Sequence, residues 1–238
     1  MTYAGGKGGA GVYQQIINQI PPHDVYIECL YGSGTIMRYI RRARVSVAVD
    51  LDAQALRDFV PPGVIAMNCD GISYLRGQLD SGRLNERVFI YADPPYLMET
   101  RSSKRPLYTY EFGDTGQHEE LLDLLMSLPC MVALSGYWSL LYEQRFAMRW
   151  RSISFNAQTR SGTTAREWLW MNYPEPVELH DYSFLGGNFR EREKITRQKR
   201  RWRARLLRMD RLQMYALLSS IAELQGAAGG GKIELIPR

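Results

Sequence analysis

The sequence predicts an α/β protein, a doubly wound Rossmann-like sheet followed by a basic helical extension. Three observations predict it. Short apolar runs at 25–29, 45–49, 64–67, 88–92 and 130–134 alternate with stretches of helical periodicity, the pattern of a sheet covered on both faces. Several runs end in a glycine turn or an acid, at the positions where such sheets bind ligands. From residue 189 onward the chain reads as helix and is strongly cationic.

With 238 residues, 45% of them hydrophobic, the chain can fill the core of one α/β domain, expected over 1–185. A helical hairpin is expected over 186–225 and a glycine-rich, mobile tail over 226–238. The net charge of +5 is unevenly placed: Arg190 to Arg211 holds eleven Lys or Arg against Glu191, Glu193 and Asp210, so the rest of the chain is slightly acidic. No apolar run approaches the roughly 20 residues of a membrane helix, and the N-terminus lacks a signal-peptide core. A cytoplasmic protein with no membrane partner is expected. Cys29, Cys69 and Cys130 have neither disulfide nor zinc spacing and are expected as buried free thiols.

Residues 3–11 hold five glycines around Lys7 and precede a helix carrying Val12, Ile16, Ile17 and Ile20. Such a turn approaches a ligand closely and offers it N–H groups, although the spacing of a phosphate loop is missing. A strand at 25–29 then leads through Gly32-Ser33-Gly34 into a helix over 35–42. The next strand ends in Asp50, about 20 residues past the turn, where a carboxylate accepts bonds from ribose hydroxyls. No third glycine stands at the dinucleotide position, which disfavours a nicotinamide cofactor. The strand at 64–67 exits through Asp70, a cap for a helix over 72–79 or a ligand contact.

The strand at 88–92 is stopped by Pro94 and Pro95, which lack the N–H a ladder needs. Asp93 and Tyr96 are thereby displayed at its C-terminal end. A carboxylate and a proline carbonyl both accept hydrogen bonds from one NH2 group, while a phenol ring stacks on the attached heterocycle. The tetrapeptide suits an exocyclic amine on a flipped base.

Asp93-Pro94-Pro95-Tyr96 resembles the catalytic motif of the Dam-type adenine-N6 DNA methyltransferases, and Ala4-Gly5-Gly6-Lys7 resembles that family's N-terminal cofactor motif. Residues 167–173, ending in Asn172-Tyr173, are similar to its closing strand. The resemblance spans roughly 3–173 and implies a Rossmann-like methyltransferase sheet with S-adenosylmethionine as cofactor. It implies cofactor binding by Tyr3, Ala4, Gly5, Gly6, Lys7, Glu28, Gly32, Ser33, Gly34, Asp50, Asp70 and Asp93. Catalysis falls to Asp93, Pro94, Pro95 and Tyr96 on an adenine flipped from duplex DNA, with no metal. The chain departs from the family in one respect: only roughly 40 residues separate Asp50 from Asp93, too few for the usual recognition domain. Relaxed target specificity is the expectation.

Nucleic-acid contacts are expected elsewhere: from Arg101, Lys104, Arg105 and Tyr108 in the loop after the tetrapeptide, from Arg160 in a late hairpin, and from Lys199, Arg200 and Arg203 in the basic helix. His118 reads as a surface residue, and Ser135 and Tyr137 as lying at the active edge. Cytosine-N4 methylation shares the same amine logic, although that family more often has Ser in place of Asp93. RNA adenine methylation and a non-catalytic nucleic-acid-binding role stand beside it as alternatives. The oligomeric state is open.

Overall fold

The computed structural model describes residues 6–9, 11–101, 108–112, 114–158 and 164–227. The chain divides into two compact units, Met1–Leu185 and Gly186–Arg238. The first contains one seven-stranded sheet of β1 (Val25–Glu28), β2 (Val45–Asp50), β3 (Ile65–Asn68), β4 (Val88–Ala92), β5 (Met131–Gly136), β6 (Arg151–Gln158) and β7 (Thr164–Met171). Their order is β3-β2-β1-β4-β5-β7-β6. β1 to β5 run parallel, and β7 pairs antiparallel with both β5 and β6. The doubly wound α/β sheet expected from the sequence is therefore present.

Burial on both faces explains the apolar runs. All five residues of β4 are buried, with Ile90 and Ala92 on one face and Phe89 and Tyr91 on the other. Two helices, α1 (Val12–Ile17) and α2 (Thr35–Tyr39), cover one side through Ile16, Ile17, Ile36 and Met37, joined by Leu56 of α3 (Ala53–Phe59). The opposite side is covered by α4 (Gly71–Asp80), α5 (Thr115–Ser127) and α6 (Leu140–Phe146), through Leu75, Leu121, Leu125 and Phe146. Each fully buried Leu or Ile contributes about 1.5–3 kcal/mol of transfer free energy, so this sandwich fixes the sheet against which the loops are held.

Four helix starts of this unit are set by side-chain caps, whereas α1 and α2 start on Gly11 and Gly34. Asp52 caps α3, Asp70 caps α4 through the Ser73 N–H at 2.8 Å, Asp114 caps α5 and Ser139 caps α6. Cys29 and Cys130 are buried free thiols; Cys69 is only half-buried, because it lies just past the exposed edge strand β3.

The second unit holds α7 (Phe189–Leu207) and α8 (Arg211–Ala227). Asn188 caps α7 by accepting from the Glu191 N–H, and the Glu191 carboxylate receives Asn188 Nδ2 and the Gly187 N–H in return. No residue of α7 is buried, so its cations face solvent. Among the described residues, no helix is long and apolar enough to cross a membrane.

Candidate active site

The strand order reverses between β1 and β4, and a crevice opens there at the C-terminal ends of the parallel strands. Its walls bring together Lys7, Glu28, Gly32, Ser33, Asp50, Asp70, Asp93, Pro95, Tyr96 and Tyr108, residues that the sequence scatters over a hundred positions. Tyr3, Ala4, Gly5, Lys104, Arg105 and Arg160 lie outside the described residues.

One half of the crevice is built by β1, β2 and the glycine turn. Asp50 Oδ2 accepts from the Gly32 N–H at 2.7 Å, and Oδ1 accepts from the Asp52 N–H at 2.8 Å. Burial raises the Asp50 pKa, and these two bonds oppose the rise. Gly34 has φ +56°. A Cβ there would stand 2.0 Å from the Tyr31 ring, so the turn closes only on glycine. Gly34 is thus a turn-forming residue and does not line the crevice. Gly6 is exposed beside Lys7.

Glu28 is buried and accepts from the Met37 N–H at 3.2 Å, which ties β1 to α2. Burial, reinforced by Asp93, pushes its pKa well above the usual carboxylate range. Asp70 does two things: it caps α4 and lines the crevice.

The other half is the exit of β4. Asp93 Oδ1 accepts from Ser135 Oγ at 2.7 Å and meets Lys7 Nζ at 2.8 Å. Ser135 in turn lies 2.9 Å from the Tyr91 hydroxyl. Both contacts fall on Oδ1, and among the described residues none falls on Oδ2. Lys7 also donates to the Tyr96 hydroxyl and faces Glu167 Oε2 at 3.5 Å. Burial opposes its charge, but Asp93 and Glu167 outweigh that and hold the ammonium protonated, above the ordinary lysine range. Tyr96 is nearly buried, with its ring centroid 4.4 Å from that of Tyr137. Burial, then Asp93 and Glu167, keeps its phenol protonated. Pro94 is buried and Pro95 reaches the crevice wall.

Several placements differ from the sequence expectation. Arg101, expected at a phosphate, is instead buried, paired with Glu111 at 2.8 Å and donating to the Tyr96 carbonyl at 2.5 Å. It braces the tetrapeptide from behind. His118, expected at the surface, is fully buried, 2.8 Å from the Tyr142 hydroxyl and edge-on to Phe112. Phe112 packs over the start of α5, which helical periodicity alone does not reveal. Tyr108 lines the crevice, and its phenol is pushed up to about 12 by burial and by Asp93. Lys199, Arg200 and Arg203 lie exposed on α7.

Glu167 escapes the sequence reading as a site residue. It starts the inner part of β7, and because β7 is antiparallel to β5 its early residues lie at the C-terminal edge of the sheet, with Trp168 opposite Gly136. Its only signal is an acid opening an apolar strand, which is also how many surface strands begin. Among the described residues, no group of three or more His, Cys, Asp or Glu is arranged to hold a metal ion.

No protein-family model and no curated protein matches the chain in sequence. Solved structures that align with it include precorrin 8W decarboxylase of Methanobacterium thermoautotrophicum, at 13% identity and TM-score 0.43, over 72% of this chain and 94% of that one. The N-methyltransferase NodS of Bradyrhizobium japonicum aligns at 7% identity and TM-score 0.45, over 68% and 93% respectively. TrmN of Thermus thermophilus aligns at 16% identity and TM-score 0.43, over 68% of this chain and 48% of its own, so the chain spans about half its length.

Proposed function

We propose that this chain is a DNA methyltransferase that moves a methyl group from S-adenosylmethionine to N6 of a flipped adenine. The observation that carries the reading is Asp93 at the sheet's switch point, held by Lys7 and Ser135 through Oδ1, with no contact on Oδ2 among the described residues.

The donor set of the crevice fits the cofactor. Asp50 offers acceptors for ribose hydroxyls, the Gly32 turn brings bare backbone close to a nucleoside, and Asp70 offers an acceptor for an adenine amino group. The carboxylates of Asp50, Asp70 and Asp93 around one crevice favour a cationic ligand. When bound, S-adenosylmethionine supplies an electrophilic methyl group on a sulfonium.

The residues of the β4 exit then act on the amine. A base leaves the stack at a cost of a few kcal/mol, and the aromatic rings of Tyr96, Tyr108 and Tyr137 offer it a stacking surface. Asp93 Oδ2 and the Pro94 carbonyl accept the amino hydrogens. These bonds favour a pyramidal nitrogen with its lone pair free, and preorganisation of that approach supplies much of the acceleration. Carboxylates are weak bases, so Asp93 orients the amine and takes its proton only after the nitrogen has become cationic. The cations of α7 add a sequence-independent attraction to phosphates.

Alternating polymers test the choice of amine. Poly(dA-dT) offers only the adenine amine, and poly(dI-dC) only that of cytosine. Label from methyl-labelled S-adenosylmethionine is expected in the first alone. Label in the second would assign cytosine N4, and preferential label in competing RNA would move the substrate class to RNA.

A further inference from the structure

We propose that Glu167 is a positioning residue for this reaction: it takes the Lys7 ammonium over from Asp93 as the target amine enters and becomes positive. The inference rests on the reading that Asp93 holds that amine. Its starting point is an incomplete contact. Glu167 Oε2 is buried, with no hydrogen-bond partner among the described residues, and among those residues the one cation within reach is Lys7 at 3.5 Å. Lys7 stands closer to Asp93, at 2.8 Å, although Asp93 Oδ1 already receives Ser135. The ammonium therefore sits on the crowded carboxylate and leaves the uncrowded one half-satisfied. A small rotation at the end of the lysine arm exchanges the two.

Charge gives the exchange its direction. Among the described residues the cluster joins one cation, Lys7, to two carboxylates, Asp93 and Glu167. In methyl transfer the amine lone pair forms the N–C bond. The S–C bond breaks with its electron pair left on sulfur, and the nitrogen carries a positive charge until its proton passes to Asp93. Two cations then face two carboxylates. Pairing Lys7 with Glu167 and the amine with Asp93 leaves neither cation uncompensated in a buried site. Without Glu167, Asp93 must serve both cations, and the one that forms during the reaction is disfavoured. The antiparallel β7 is what brings this second carboxylate to an edge otherwise built from parallel strands.

Single-turnover methylation of an adenine duplex, at saturating cofactor and DNA, tests this with a double-mutant cycle. Glu167→Gln is expected to slow transfer by roughly 10- to 100-fold, with duplex affinity unchanged within about twofold and melting temperature close to wild type. Glu167→Asp is expected to restore part of the rate. In a Lys7→Met background, Glu167→Gln is expected to cost nothing further, because no ammonium needs rehousing.

A binding readout is independent of turnover. Sinefungin carries an amine where the cofactor has its sulfonium methyl, and it should shift the Lys7 ζ-nitrogen NMR signal in wild type but not in Glu167→Gln. Equal rates for wild type and Glu167→Gln, or an equal loss in both Lys7 backgrounds, would overturn the proposal. So would a Lys7 signal indifferent to Glu167. Wild-type protein that binds the cofactor yet methylates no nucleic acid would instead refute the functional reading beneath it.

Discussion

Lys7 Nζ lies 2.8 Å from Asp93 Oδ1, with the lysine side chain only 3% exposed. The N-terminal glycine turn is thereby locked to the exit of the central strand. Lys7→Met would leave the Asp93 and Glu167 carboxylates together without a cation. Stranding a buried charge costs about 3–5 kcal/mol, so the urea midpoint is expected to fall markedly. A midpoint indistinguishable from wild type would show that the turn is not anchored there.

Asp50 anchors the glycine turn of the crevice, where the ribose of the proposed cofactor would lie. Asp50→Asn removes a charged acceptor and half of the anchoring of the Gly32 and Asp52 N–H groups. Hydrogen bonds to charged groups are worth about 1.5–3 kcal/mol, so affinity for S-adenosylhomocysteine should fall at least about tenfold. Isothermal titration checks it, and unchanged affinity would place the ribose elsewhere.

Two glycines with similar backbone angles separate strain from crowding. Gly34 has φ +56° with the Tyr31 ring 2.0 Å from a would-be Cβ, whereas Gly82 has φ +64° and open space around it. Gly82→Ala is expected to cost about 1 kcal/mol, the left-handed penalty alone. Gly34→Ala should cost clearly more, because Tyr31 must leave its bond to the Phe59 carbonyl. Denaturant unfolding of both variants gives the comparison.

These contrasts show what the sequence makes legible. The parallel strands are readable because each is a short apolar run buried on both faces, and Asp50, Asp70 and Asp93 because strand exits follow such runs directly. Partnerships between distant segments are not readable. Glu167 reaches Lys7 only because β7 is antiparallel. Arg101 looks like a phosphate contact because its neighbours in sequence are basic, yet Glu111, ten residues on, claims it. His118 is buried with Phe112 packed against it, a contact that periodicity does not encode.

Part of the acid sensitivity should arise far from the crevice. His23 and His180 stack at 3.8 Å, with His23 Nδ1 at the Pro21 carbonyl and His180 Nε2 at the Arg41 carbonyl. Burial, then His180, lowers the His23 pKa to about 3, and burial lowers that of His180. Both rings therefore protonate more readily in the unfolded chain. Stability is complete above the unfolded histidine pKa of about 6.5 and falls as pH drops through the window toward 3. Urea midpoints across that range should decline in wild type and less steeply in His23→Gln, where His180 and the buried His118, lowered to about 4, remain. A wild-type midpoint constant from about pH 7 to about pH 4 would contradict the buried pair.

The basic helix makes a separate prediction about salt. Replacing Lys199, Arg200 and Arg203 together by Gln should weaken DNA binding uniformly across sequences. The slope of log affinity against log salt should shrink by about 0.9 for each phosphate that is no longer neutralised. Fluorescence anisotropy at several salt concentrations measures it. An unchanged slope would assign these cations to solvent.

The central claim is that Asp93 directs a methyl group onto adenine N6. Its most direct test is incubation with methyl-labelled S-adenosylmethionine and unmethylated genomic DNA, followed by digestion to nucleosides and identification of the labelled one, for wild type and Asp93→Ala side by side. Labelled N6-methyladenine that disappears in Asp93→Ala is the predicted result. Label on another nucleoside, or N6-methyladenine that persists without the Asp93 carboxylate, would contradict it.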